Sequence, residues 1–78
     1  MRITLEMLGP MIKPLGQGPV EVEVRDGAAV RELMTETLRY SPEHVDLLSY
    51  HIDGKKAKPS DILLPGCRLK VLMIIGGG

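Results

Sequence analysis

One stretch decides the fold: Cys67-Arg68-Leu69-Lys70-Val71-Leu72-Met73-Ile74-Ile75. Its side chains alternate, with Cys, Leu, Val and Met at the odd positions and Arg and Lys at the first two even ones, as a β-strand requires. From Val71 onward both faces are apolar, which favours an interior place in a sheet. We therefore predict a strand over 67–75 that has a neighbour on each side.

The first neighbour is predicted at the start of the chain. Residues 2–8 place Ile3, Leu5 and Met7 on one face and polar residues on the other, which indicates a half-buried strand parallel to 67–75. Residues 20–24 alternate Val and Glu strictly, which predicts a second strand with one wet side. Between them, residues 9–19 hold three Gly and three Pro and are expected to form a loop. Its apolar members, Met11, Ile12 and Leu15, are expected to cover one end of the core.

The period changes between Ala28 and Arg39. Apolar residues recur at the spacing of one helical face, from Val30 through Leu33 and Met34 to Leu38, so we predict an amphipathic helix. The pair Ser41-Pro42 then ends it, because the residue before a proline avoids the helical region.

The second half of the chain predicts two further strands. Residues 48–52 alternate again, the turn pair Asp53-Gly54 follows, and residues 55–58 form a short lysine-rich edge strand. Beyond them, Ile62, Leu63 and Leu64 are expected to be buried anchors. The resulting order, with one main helix across one face of a mixed four- to five-stranded sheet, predicts an α+β fold of the β-grasp (ubiquitin-like) type. We expect residues 1–78 to form a single domain.

Length and composition argue against several functions. A 78-residue chain has little core to give up to a deep active-site cleft, so we expect a carrier or interaction module and not an enzyme. Ten basic and ten acidic residues cancel, and there is no Phe or Trp, which argues against a nucleic-acid partner. The longest apolar run is far shorter than the roughly 20 residues that span a bilayer. With no secretory leader recognised either, we expect a cytoplasmic protein with no membrane partner.

Reactive side chains give no strong alternative site. Cys67 is the single cysteine and falls on the inward face of its strand, where packing is the expected role. His44 and His51 lack the spacing of zinc ligands, so no metal or other cofactor is predicted. The lysines at 55, 56 and 58 could meet an acidic partner, although a solvated hairpin is the more common meaning of such a cluster.

The glycine segment Gly76-Gly77-Gly78 has a more specific interpretation. It follows an apolar strand without a polar spacer, and glycine has no Cβ, so such a tail can pass through a channel too narrow for other residues. Extended, three residues reach about 10 Å beyond a domain. This pattern predicts a flexible tail over 76–78 that presents a carboxylate to the active site of another protein.

Several segments in order resemble the ThiS/MoaD family of ubiquitin-like sulfur-carrier proteins, which serve thiamine and molybdopterin synthesis. Residues 29–34 resemble the family's T-V-x-x-L-L, residues 52–55 its V-N-G-K hairpin, and residues 64–69 its approach to the last strand. Residues 74–78 stand where the family has a hydrophobic pair, a small residue and Gly-Gly. Three departures are Ala29 in place of a capping Thr, the absence of acidic residues at 65–67, and Gly76 in place of a common Ala.

The resemblance implies a carrier that is acted on by an ATP-dependent activating enzyme and then by a sulfur-accepting synthase. It implies that the Gly78 carboxylate is adenylated and converted to a thiocarboxylate. It further implies that partners recognise the tail at Gly76 and Gly77 and bind a surface made by Leu72, Ile74 and Ile75. The carrier is expected to be monomeric when free and to hold no cofactor.

Two other functions share this predicted fold. A ubiquitin-like modifier would undergo the same adenylation but would end conjugated through Gly78 to lysines of other proteins. A β-grasp interaction domain would bind partners without any chemistry at its tail. The residues themselves do not decide among the three, nor which pathway would receive the sulfur.

Overall fold

The computed structural model describes residues 1–10 and 13–73. Its strands are β1 (Arg2–Leu8), β2 (Val20–Glu23), β3 (Ser49–Ile52), β4 (Lys55–Ala57) and β5 (Arg68–Leu72). Its helices are α1 (Val30–Glu32), which continues into a π-helical turn (Leu33–Thr37), and α2 (Pro42–Leu47). Within the described ranges, no helix is both long enough and apolar enough to cross a membrane.

The strands form one mixed sheet in the order β2-β1-β5-β3-β4. Strand β5 is central, parallel to β1 with Leu69 opposite Leu5 and antiparallel to β3 with Val71 opposite Tyr50. The predicted adjacency of the first and last strands and the predicted α+β architecture are thus confirmed. The observed β5 is shorter than the predicted strand 67–75, and residues 74 and 75 lie outside the described part of the chain.

The main helix is shorter than the sequence predicted, running from Val30 to Thr37 and not from 28 to 39. At its start Ala29 is extended (φ −86°, ψ 162°) and gives no side-chain cap, so the helix begins one residue later. At its end the Leu38 N–H donates to the Leu33 carbonyl at 3.0 Å, which widens the turn, and Arg39 then turns left-handed at φ 63°. This positive φ ends the helix ahead of Pro42.

The core lies between the helices and one face of the sheet. The residues that the sequence placed inside are all buried: Leu5, Val22, Leu33, Leu38, Leu69 and Val71. Met7 and Met34 are fully buried, and Met73 packs against the same cluster.

Two loop predictions are wrong. Leu63 is buried at 1 % exposure, but its neighbours Ile62 and Leu64 are 53 % and 64 % exposed. The chain is extended here, with the Leu63 N–H bonded to the Ala28 carbonyl at 2.8 Å, so successive side chains point to opposite sides. Leu15 is 44 % exposed and does not cover the core; Met11 and Ile12 lie outside the described residues.

Truncating a leucine of β5 should test the central role of this strand. Leu69→Ala removes a side chain with no solvent exposure and should lower the free energy of unfolding by about 2–5 kcal/mol. The matched control Leu64→Ala makes the same chemical change at an exposed site and should cost less than about 0.5 kcal/mol. Urea unfolding of both variants measures the difference. Equal losses would contradict the observed burial.

Tyr50 on β3 ties the sheet to α2. Its ring is 1 % exposed, and its hydroxyl donates to the Val45 carbonyl at 2.6 Å. Burial raises the pKa of Tyr50 to about 12 because the phenolate would lose its hydration. The neutral phenol is therefore part of the folded structure.

This raised pKa predicts a loss of stability in alkali. The unfolded chain releases the Tyr50 proton near pH 10, whereas the folded chain keeps it until about pH 12, so the free energy of unfolding should fall across that window. Urea unfolding at stepped pH measures the slope. Tyr50→Phe should be less stable at neutral pH through the lost hydrogen bond, yet its slope should be shallower. An unchanged slope in this variant would refute the assignment.

Candidate functional site

Strand β5 leads directly to the segment that the sequence marked as functional. Its backbone is paired on both sides up to Leu72, and the following residue, Met73, donates its N–H to the Leu8 carbonyl at 3.1 Å. The chain is therefore fixed in place as far as Met73. The other predicted site residues, Ile74, Ile75, Gly76, Gly77 and Gly78, lie outside the described residues.

Gly9, in the turn after β1, packs against this exit point. It has φ +108°, a backbone conformation that residues other than glycine rarely adopt. A Cβ built there would lie 2.7 Å from the Met73 carbonyl oxygen and 3.3 Å from the Met73 Cβ. The sequence assigned residue 9 to the predicted loop over 9–19, but the close approach of Gly9 to Met73 is visible only in the fold.

A methyl group at Gly9 should disturb the exit of the tail. Gly9→Ala combines backbone strain with a clash against Met73 and should destabilise the domain and shift the Met73 amide resonance. Gly54→Ala is the matched control, because Gly54 also has positive φ (+83°) but nothing lies within 4 Å of its added Cβ. Thermal unfolding and two-dimensional NMR compare the two. If Gly54→Ala is the more harmful change, close packing at Gly9 is not important.

Leu72 is on the sheet face away from the helices, which we call the open face, and it is half-buried. The register places Leu8 beside Leu72, and Lys70 beside His51. A groove of about 410 Å³ lies on this face, lined by Leu8, His51, Gly54, Arg68, Lys70 and Leu72. The predicted partner residue Leu72 is thus a wall of a groove with basic groups next to it.

Basic side chains dominate this groove. Arg68 is exposed, and its backbone N–H is held by an Asp53 carboxylate oxygen at 2.9 Å, which fixes the start of β5. The Lys70 ammonium has one carboxylate nearby, that of Glu6 at 3.9 Å across the β1–β5 pair. Such a half-exposed pair is weak, so the groove keeps a positive character.

The described residues hold no competing reactive centre. Cys67 is 4 % exposed and packs in the core, as predicted. No cluster of three or more His, Cys, Asp or Glu side chains within the described ranges could hold a metal ion. At the helix start, the bond from Arg25 to Glu32 raises the pKa of the guanidinium and lowers the pKa of the carboxyl, as an exposed structural ion pair does.

Sequence reasoning missed the groove as a unit. The alternation of each strand correctly assigned Lys70 and His51 to polar faces. What it lacked was the register between strands distant in sequence, which sets His51 opposite Lys70 and Leu8 opposite Leu72. A period-two pattern shows which face a residue takes but not which partner lies across from it.

Comparison with solved structures supports the fold. The crystal structure of SAMP1 from Haloferax volcanii matches with a TM-score of 0.71, covering 100 % of both chains at 16 % identity. At this identity the likeness shows the fold alone. No protein-family model and no curated protein sequence matched the chain.

The chain therefore has the ubiquitin-like β-grasp fold, as the sequence predicted. The likeness extends over its full length, so the fold includes the central strand that leads to the glycine segment. The finer resemblance to the ThiS/MoaD sulfur carriers stays a prediction and bears on the function proposed below.

Proposed function

We propose that this protein is a sulfur carrier that works through the carboxylate of Gly78. One observation carries the proposal: the central strand of a ubiquitin-like sheet, held on both sides and ending at Leu72, is followed in the sequence, after three intervening residues, by Gly76-Gly77-Gly78. The resemblance of the segments around the helix, the hairpin and the last strand to sulfur carriers supports the same function.

The chemistry uses the tail as a substrate of other proteins. A free carboxylate is a poor electrophile, so an activating enzyme joins the Gly78 carboxylate to the α-phosphorus of ATP and releases pyrophosphate. Hydrosulfide from a sulfur donor then attacks the acyl carbon, forms a carbon–sulfur bond and displaces AMP. The product is a thiocarboxylate, whose sulfur is a good nucleophile for a downstream synthase in cofactor biosynthesis of the thiamine or molybdopterin type.

In this proposal the carrier supplies position and reach, and its partners supply catalysis. Gly76 and Gly77 lack side chains and can pass through a narrow channel to the adenylation site. Leu72, Ile74 and Ile75 form the partner surface, because apolar groups at the end of a strand give a binding protein area to cover. The carrier itself is then a co-substrate and not an enzyme.

A second candidate is a ubiquitin-like modifier joined to other proteins through Gly78. The structural neighbour favours it to the same extent, since ubiquitin-like SAMP1 is consistent with either function. The two functions differ in what happens to the activated Gly78 carboxylate. A carrier gives up sulfur and returns to a carboxylate, whereas a modifier forms an amide bond to a lysine.

Mass spectrometry of the tail tests the carrier function. Incubated with an activating enzyme, ATP and a sulfide source, the protein should gain the mass difference between one sulfur and one oxygen, located at Gly78. Deleting Gly78, or adding one Ala after it, should abolish the gain because the reacting carboxylate is then displaced. Circular dichroism should show both variants folded, since the described core ends before these residues.

Two controls separate the alternatives. Cys67→Ala should keep the sulfur gain, because Cys67 is a core residue. A gain that requires Cys67 and survives loss of the glycines would mean a persulfide on the cysteine and would refute the proposal. Isopeptide-linked products recovered from cells, with no thiocarboxylate, would favour the modifier.

A further inference from the structure

We propose that the groove on the open face binds an acidic segment of a protein partner. A carboxylate would lie against Arg68 and Lys70, and an apolar side chain would pack on Leu8 and Leu72. This binding depends on the proposed function only for its purpose, which is to hold Gly78 near the active site of a partner. The chemistry of the bound segment follows from the groove itself.

The charge distribution carries the first part of the argument. Across the sheet, one row of outward positions reads Glu6, Lys70, His51 and Lys56, since each faces the next across paired strands. Arg68 adds a further cation on β5. Among the described residues, Glu6 is the one carboxylate that forms an ion pair with a cation lining the groove. An acidic partner would complement this surplus and gain in association rate.

The apolar side chains carry the second part. Leu8 and Leu72 lie side by side in parallel strands and are both half-buried, so they form a small apolar wall of the groove that water still reaches. Covering this apolar surface with a partner is favourable. An apolar centre with polar groups around it is the usual layout of a protein interface. A purely ionic ligand would leave the apolar surface of the two leucines uncovered.

His51 adds an unsatisfied polar atom. Its Nδ1 is buried without a hydrogen-bond partner in the described part of the chain. Leaving a buried polar group in this state is unfavourable. The imidazole also lines the groove, so a partner seated there contacts a side chain whose hydrogen bonding is incomplete.

The position of the groove links it to the tail. Leu72 both lines the groove and ends β5, and Gly78 is six residues further along the chain. Extended, six residues reach at most about 20 Å. A partner that holds the groove therefore keeps the Gly78 carboxylate within about 20 Å of the groove, which gives it a high effective concentration for an active site inside that range.

A titration followed by two-dimensional NMR tests this surface. The probe is a capped five-residue peptide with leucine at its centre and glutamate at the other four positions, added to the full chain at low salt. We expect saturable shifts centred on Leu8, His51, Lys70 and Leu72, which weaken as salt is added. A peptide with lysine in place of glutamate should give none.

Charge-reversal variants sharpen the test. Arg68→Glu should weaken peptide binding about tenfold or more, because it replaces an attraction with a repulsion at the rim. Lys55→Glu is the matched control: it makes the same change on an exposed β4 residue that lies on the other face, paired with Ile52, and should alter binding less than about twofold. Thermal unfolding of both variants checks that they are folded.

Any of the following results would overturn the inference. Shifts that do not saturate, or that spread equally over Lys55 and Lys58, would show non-specific attraction. An equal loss of peptide binding in Arg68→Glu and Lys55→Glu would also show non-specific attraction. Tighter binding of a single-stranded oligonucleotide than of the peptide would assign the groove to phosphate. Sulfur loading of Gly78 is measured separately, so a carrier that loads normally but ignores the peptide would refute the groove and spare the function.

Discussion

The paired backbone of β5 is the constraint on which the rest of the structure depends. A strand with neighbours on both sides must satisfy its polar groups in both directions, and here β1 and β3 do so. Because β1 runs parallel, the chain needs a long crossover to return, and the helices occupy it. The core, the open face and the exit of the tail all follow from this central position.

Much of this arrangement could be predicted from the sequence, because the alternation of a strand depends on its own residues and can be recognised without knowing its neighbours. Alternation in residues 2–8 and 20–24 marked the faces correctly, and Asp53-Gly54 marked the hairpin, where both residues take positive φ. The helix ends were less readable. The early stop at Thr37 depends on a widened turn and on the left-handed Arg39, which arise from packing and not from any local signal. The exposure of the apolar side chain of Leu64 could not be predicted either, because it depends on the side of the extended loop to which that side chain points.

The candidate site divides in the same way. Composition and the missing metal-ligand spacings directed attention to the glycine segment, and the described fold extends as far as Met73. The groove on the open face could not be predicted, because His51 and Lys70 become neighbours only through the register of β3 and β5. The sequence alone thus suggests a segment for the proposed function, whereas the groove required the three-dimensional sheet.

The central strand also determines how the domain responds to pulling. A force applied to the chain beyond Met73 acts along β5, and the hydrogen bonds to β1 and β3 lie across that direction. These bonds are therefore loaded in shear, together, and not opened one after another as in an edge strand such as β4. The bond from Met73 to Leu8 takes the first share of the load. The central position of β5 thus makes the domain mechanically resistant when the chain is pulled from the end of this strand.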